Sequence, residues 1–120
     1  MEYRPTVAIV GGTPEMQDDL AQLLEDGGFD AELFASVEAY SYRAARSEAA
    51  CVLLDIPLGD TSGIDWVRRL HINGRALPTV FLVESAEETM RLKTKRLDHA
   101  TFVRKRSLPE QLIAAVRALR

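Results

Sequence analysis

Apolar positions along the chain come in two alternating kinds. Short continuous runs, such as Val7-Ala8-Ile9-Val10, Cys51-Val52-Leu53-Leu54 and Val80-Phe81-Leu82-Val83, are separated by longer stretches where apolar residues return every three or four positions. The first kind is expected of strands buried on both faces, the second of helices with one buried stripe. The pattern predicts a strand over Thr6–Val10 and then a helix with Thr13 as N-cap and Pro14 at its first position. Met16, Leu20, Leu23 and Leu24 form the stripe of that helix, and Gly27-Gly28 ends it. Residues 30–35 read as the second strand, and Ser36 caps a helix through Arg46 with Val37, Tyr40 and Ala44 inward. Residues 50–54 are the third strand. After a loop over residues 59–63, Ile64, Val67 and Leu70 mark a helix that closes near Asn73-Gly74. Thr79–Val83 is the fourth strand, and residues 85–97 form a weakly apolar helix resting on Ala86, Met90 and Leu97. Residues 100–103 are a short fifth strand. Ser107 and Glu110 make a capping box for a last helix that buries Leu108, Leu112, Ile113, Val116 and Leu119.

Five strands alternating with five helices imply a parallel sheet covered on both faces. With right-handed crossovers this is a flavodoxin-like, doubly wound α/β fold of strand order 2-1-3-4-5. In that order the ends of the first and third strands are neighbours. Gly11-Gly12 should therefore lie beside Asp55, at the sheet edge where ligands and chemistry gather in open α/β folds. With 120 residues, the chain is expected to form a single domain over residues 1–120.

Composition narrows the function. Cys51 is the only cysteine and sits in an apolar run, so it reads as a small buried hydrophobe in a reducing, cytoplasmic setting. No apolar run approaches a membrane span, and the first residues lack the layout of a secretory signal. The net charge of −3 hides a split: residues 1–90 hold 6 Lys/Arg against 16 Asp/Glu, and residues 91–120 hold 9 against 2. A basic face made by Arg91, Lys93, Lys95, Arg96, Arg104, Arg106, Arg117 and Arg120, against only Asp98 and Glu110, is expected to repel a second copy and to bind an acidic surface. Nucleic acid is not expected, because no recognition motif accompanies the charge. His71 and His99 lack partners at metal-binding spacing, so no structural metal is expected. Gly11-Gly12-Thr13-Pro14 matches no phosphate-binding loop, and no catalytic set for a nucleotide enzyme can be named.

Three segments carry a family likeness: Val52-Leu53-Leu54-Asp55-Ile56, the loop Leu58-Gly59-Asp60-Thr61-Ser62-Gly63, and the ending Phe102-Val103-Arg104-Lys105-Arg106-Ser107-Leu108-Pro109-Glu110-Gln111-Leu112. In order and spacing the chain resembles the receiver domain of two-component response regulators, and residues 34–40 resemble receivers of the nitrogen-fixation regulator type. The resemblance implies a module that is not an enzyme. Its partners would be a histidine kinase, a phosphotransfer protein or an acidic effector. It assigns the phosphoacceptor position to Asp55 and the phosphate-pairing position to Lys105. Where the family carries two acids that hold Mg²⁺, this chain has Gly11 and Gly12. The family's hydroxyl position is Val83, the switch aromatic position is Phe102, and Arg106 replaces the proline after the lysine.

Two side-chain ligands for the ion are thus missing, and neither Glu15, Asp60 nor Glu84 restores a converging pair. The expected module is a degenerate receiver without a cofactor, Mg²⁺ entering only if the pocket is functional after all. A receiver phosphorylated at Asp55, or a basic-face binding module without phosphoryl chemistry, are the alternatives. Returning acids to positions 11 and 12 is expected to be tolerated unless either glycine holds a positive φ.

Overall fold

The computed structural model describes residues 3–74, 77–97, 100–106 and 109–118. Strands β1 (Thr6–Val10), β2 (Asp30–Phe34), β3 (Ala49–Asp55), β4 (Thr79–Val83) and β5 (Ala100–Arg104) alternate with helices α1 (Pro14–Asp26), α2 (Val37–Arg43), α3 (Ser62–Ile72), α4 (Ala86–Lys93) and α5 (Glu110–Ala118). All strand pairs are parallel and the order is β2-β1-β3-β4-β5, as the alternating pattern predicts.

Side chains alternate across the sheet, so each strand feeds two cores. Val7, Ile9, Leu53, Val80 and Leu82 pack with Leu20 and Leu24 of α1 and Leu112 and Val116 of α5. Ala8, Val10, Val52, Leu54, Phe81 and Val83 pack with Tyr40 of α2, Ile64 and Val67 of α3, and Leu92 of α4. Met16, Leu23 and Ile113 are partly buried against the first cluster, and Val37, Ala44 and Leu70 against the second. Trp66 belongs to the second core, where Phe34, Tyr40 and Trp66 form an edge-to-face series at 5.0 and 5.6 Å. Its indole N–H donates to Ser41 Oγ at 2.9 Å.

The helix starts follow their caps. Thr13, Ser36 and Ser85 accept the N–H groups of Met16, Ala39 and Glu88 through their side-chain oxygens. Boundaries shift where backbone geometry overrides the apolar pattern. The second helix stops at Arg43 and tightens into a 3₁₀ turn over Ala44–Arg46. β2 ends at Phe34, β3 extends one residue further at both ends, and β5 runs on to Arg104.

The fourth helix departs most from expectation. It ends at Lys93 rather than Leu97, because the chain turns there and Arg96 adopts φ 51. Its inward face carries Glu88 and Leu92, while Met90, expected inside, is exposed. The capping residue Ser107, the last helix's Leu108 and Leu119, and Asp98, His99 and Arg120 lie outside the described residues.

Candidate functional site

Charge gathers at the C-terminal edge of the sheet. β3 finishes in Asp55, and the residue after β5 is Lys105, whose backbone N–H donates to the Val83 carbonyl at 2.8 Å. The side chain of Lys105 then reaches over the end of β4. Its Nζ lies 2.7 Å from Asp55 Oδ1 and 2.9 Å from Glu84 Oε1. Asp55 and Lys105 keep only 12% and 22% of their side-chain surface exposed, whereas Glu84 keeps 47%. Burial works to lower the Lys105 ammonium, but the Asp55 and Glu84 carboxylates outweigh it and hold it above the ordinary lysine value of 10.5. Glu84 thus shares the ammonium with Asp55.

Beside this pair stands the loop after β1. Register sets Val10 against Leu54, so Gly11 faces Asp55 as the strand order requires. Both Gly11 and Gly12 have positive φ, +83 and +85. A Cβ on Gly11 would lie 3.6 Å from Asp55 Cβ, and one on Gly12 would lie 2.9 Å from Met16 Sδ. The loop is tied down by backbone and side chain together. Gly11 N–H donates to the Phe34 carbonyl at 2.9 Å, and the Gln17 amide donates to the Gly11 and Phe34 carbonyls at 3.0 and 2.7 Å.

The other candidates have separate duties. Val83 is fully buried, and Phe102 is half-buried and stacked on Phe81 at 5.2 Å. The Ser85 hydroxyl is spent as the α4 cap. Asp60 Oδ1 accepts the Ser62 N–H at 2.7 Å, a bond that holds its carboxyl below the usual range, and Glu15 is exposed on α1. Among the described residues no three acids, histidines or cysteines converge on one point.

Two site residues were not legible in the sequence. Gln17 sits one turn into α1, and nothing in its spacing says that its amide turns back to the loop. Glu88 is buried and accepts the Gly59 N–H at 2.6 Å. Its signal was the i, i+4 relation to Leu92, which the out-of-phase Met90 obscured.

The expected basic face is narrower than its sequence suggests. Arg91 is turned to Glu88 and to the Asp60 carbonyl, and the Arg117 guanidinium donates to the Gly27 carbonyl at 3.1 Å. Lys93, Arg96, Arg104 and Arg106 remain exposed, and Lys95 is half-buried. Between α4 and β5 runs a cavity of about 310 Å³ lined by Leu92, Leu97, Ala100 and Phe102 with Lys93 and Arg96. No helix among the described residues is long and apolar enough to cross a membrane.

The family model for the response regulator receiver domain matches residues 7–117. This chain belongs to the response regulator receiver family. Over 116 residues it is 31% identical to the transcriptional regulatory protein CreB of Escherichia coli, covering 97% of this chain and 51% of that protein. It is 28% identical over 99 residues to the response regulator protein TodT of Pseudomonas putida, covering 82% and 44%. The chain therefore spans about half the length of these curated relatives. A sensor protein from Polaromonas sp. JS666 superposes with a TM-score of 0.85 at 26% identity, covering 98% of this chain and 96% of that one. The Vibrio cholerae chemotaxis protein CheY4, at 16% identity, shares the fold with a TM-score of 0.81, covering 98% and 100%.

Mg²⁺, the ion that the family's chemistry implies, does not fit this receiver's residues. It demands several oxygen ligands in near-octahedral order and gives up water reluctantly. Gly11 and Gly12 offer no side-chain oxygen, and the one strand-end carboxylate is already engaged by an ammonium.

Positive φ at Gly11 and Gly12 penalises any side chain there, since an L side chain in this region costs roughly 1–2 kcal/mol per residue. The Gly11→Asp, Gly12→Asp double variant should unfold at lower denaturant than the parent. An unchanged midpoint would contradict the φ argument. The raised Lys105 value fixes a pH dependence. Its contribution to stability is fully present below 10.5 and is lost as pH rises through the higher folded value. The stability gap between parent and Lys105→Met should stay flat from about pH 6 to 10 and narrow above that. A gap that widens in alkali would rule the pairing out.

Proposed function

We propose that this receiver signals by protein contact from a degenerate, metal-independent pocket, and that residues 1–120 act as one receiver unit. The observation that supports this best is the Lys105 ammonium 2.7 Å from Asp55, beside glycines at the positions where an ion would need acids. In this reading Asp55 is the phosphoacceptor position and Lys105 the phosphate-pairing position. Gly11 and Gly12 are the vacated acid positions, Val83 the vacated hydroxyl position and Phe102 a switch aromatic without a phenol. The module is not an enzyme. It works in the cytoplasm, consistent with a sequence whose only cysteine, Cys51, is buried in β3.

Lys105 already neutralises Asp55, so a phosphoryl group arriving there would have to take the ammonium away from one carboxylate without a metal to replace it. Incubation with acetyl phosphate and Mg²⁺ should add no phosphoryl mass to the intact chain. Labelling that vanishes in Asp55→Asn would instead establish an ordinary phosphorylated receiver.

The partner surface in this reading is the α4–β5 groove, with an apolar floor and a rim of Lys93 and Arg96. That combination suits an acidic segment with apolar anchors, such as an effector protein, while a histidine kinase or phosphotransfer protein would approach the Asp55 edge. Exposed charges are screened over about 8–10 Å at physiological salt. Binding of an acidic amphipathic peptide should therefore weaken as salt rises and drop in a Lys93→Glu, Arg96→Glu variant. Salt-independent binding, or self-association through this face at low salt, would defeat the assignment.

A further inference from the structure

Cations are scarce in the acidic first three-quarters of the chain, where 6 Lys/Arg stand against 16 Asp/Glu. Two of them have work inside the fold: Arg4 pairs with Asp30, and Arg68 donates to the Lys95 carbonyl. Arg43 and Arg46 do neither. Arg43 lies in the last turn of α2 and Arg46 in the 3₁₀ turn that follows, and both are exposed. A helix C-terminus favours cations, yet among the described residues neither guanidinium caps a carbonyl or pairs with a carboxylate.

Both arginines line a cavity of about 440 Å³ together with Glu32, Tyr42 and Ser47. The polar floor of this cavity is fixed. Ser47 Oγ accepts the Ala49 N–H at 3.1 Å and donates to Glu32 Oε1 at 2.9 Å, joining β2 to the approach to β3. Glu32 is half-buried, and its Oε2 accepts no hydrogen bond from the described residues. Tyr42 is 92% exposed, so its ring can cover whatever enters. Ser47 precedes β3 and Asp55 ends it, so the cavity lies toward the opposite edge of the sheet from Asp55.

We propose that this cavity binds a nucleoside monophosphate. Two guanidiniums present planar forks of N–H donors that match phosphate oxygens. The open Glu32 oxygen takes the hydroxyl or amino donors that a nucleoside carries and a bare anion lacks. An exposed phenol ring offers a face on which a base stacks. The volume suits such a ligand, since small-molecule sites run from roughly 300 to 1,000 Å³. An acidic protein segment suits it less, because Glu32 would meet its carboxylates as like charge. The site is separate from Asp55 and from the α4–β5 groove, so it stands whether or not those act as proposed above.

The test is an amide NMR titration of the whole chain with AMP, GMP, ribose phosphate, inorganic phosphate and a glutamate-rich peptide. AMP or GMP should give saturable shifts centred on Glu32 and on the segment from Tyr42 to Ser47. Ribose phosphate should bind about tenfold more weakly, the scale of one lost base–aromatic stack, and inorganic phosphate more weakly still. Arg43→Gln and Arg46→Gln should each lower nucleotide affinity by about tenfold, the scale of one charged hydrogen bond. Arg69→Gln, which removes an exposed charge on α3 outside the cavity, should leave that affinity unchanged. Tyr42→Ser should weaken nucleotide binding and leave ribose phosphate binding as it was. All four substituted positions are exposed, so folding is not at stake. No saturation at millimolar nucleotide would overturn the site. So would equal binding of inorganic phosphate or of the peptide, or an Arg69→Gln loss as large as the other two.

Discussion

A parallel sheet roofed by helices on both faces admits charge on its central strands only at their ends, and that restriction orders the whole molecule. Along β1, Val7 and Ile9 serve one helix layer and Ala8 and Val10 the other. All five residues of β4 are buried. On the central strands nothing ionised is placed until the strand runs out, so Asp55, Glu84 and Lys105 meet at the same edge. β4 lies between β3 and β5. The lysine stem therefore crosses the end of β4 to reach Asp55, and the residue it passes, Glu84, becomes the second carboxylate.

An ammonium and a metal ion answer different demands at such an edge. A divalent cation needs a shell of oxygens drawn from carboxylates that repel one another, together with carbonyls and water. An ammonium needs two acceptors and arrives already bonded to its strand. Its stem is partly sheltered from water, where attraction between opposite charges is less damped than at the open surface. The pocket is accordingly built from three side chains at the ends of β3, β4 and β5, and the end of β1 contributes backbone alone.

The strand–helix alternation and strand order were legible because apolar runs and caps leave direct marks in the sequence. Thr13, Ser36 and the Gly27-Gly28 stop all act as their chemistry suggests. The Asp55–Gly11 adjacency followed from topology without any side-chain information. What stayed hidden depends on the direction of single side chains. Glu84 and Glu88 are four residues apart, yet one bridges to β5 and the other turns beneath the β3–α3 loop. Arg91 counted as one more surface cation until its partner was visible, because a buried carboxylate four residues before Leu92 looks like any exposed glutamate in the sequence. Nor does a glycine pair reveal the sign of its φ.

The posture of Gly11 and Gly12 makes the loop after β1 a poor seat for any side chain. Had the backbone there been extended or helical, an acid at either position would meet no strain. Here both φ values are positive, Met16 Sδ lies over the space that a side chain at position 12 would need, and the Gln17 amide ties the loop to the end of β2. Each of these features holds the others in place. Setting carboxylates beside Asp55 would therefore call for the segment from β1 to the first turn of α1 to be exchanged as one block.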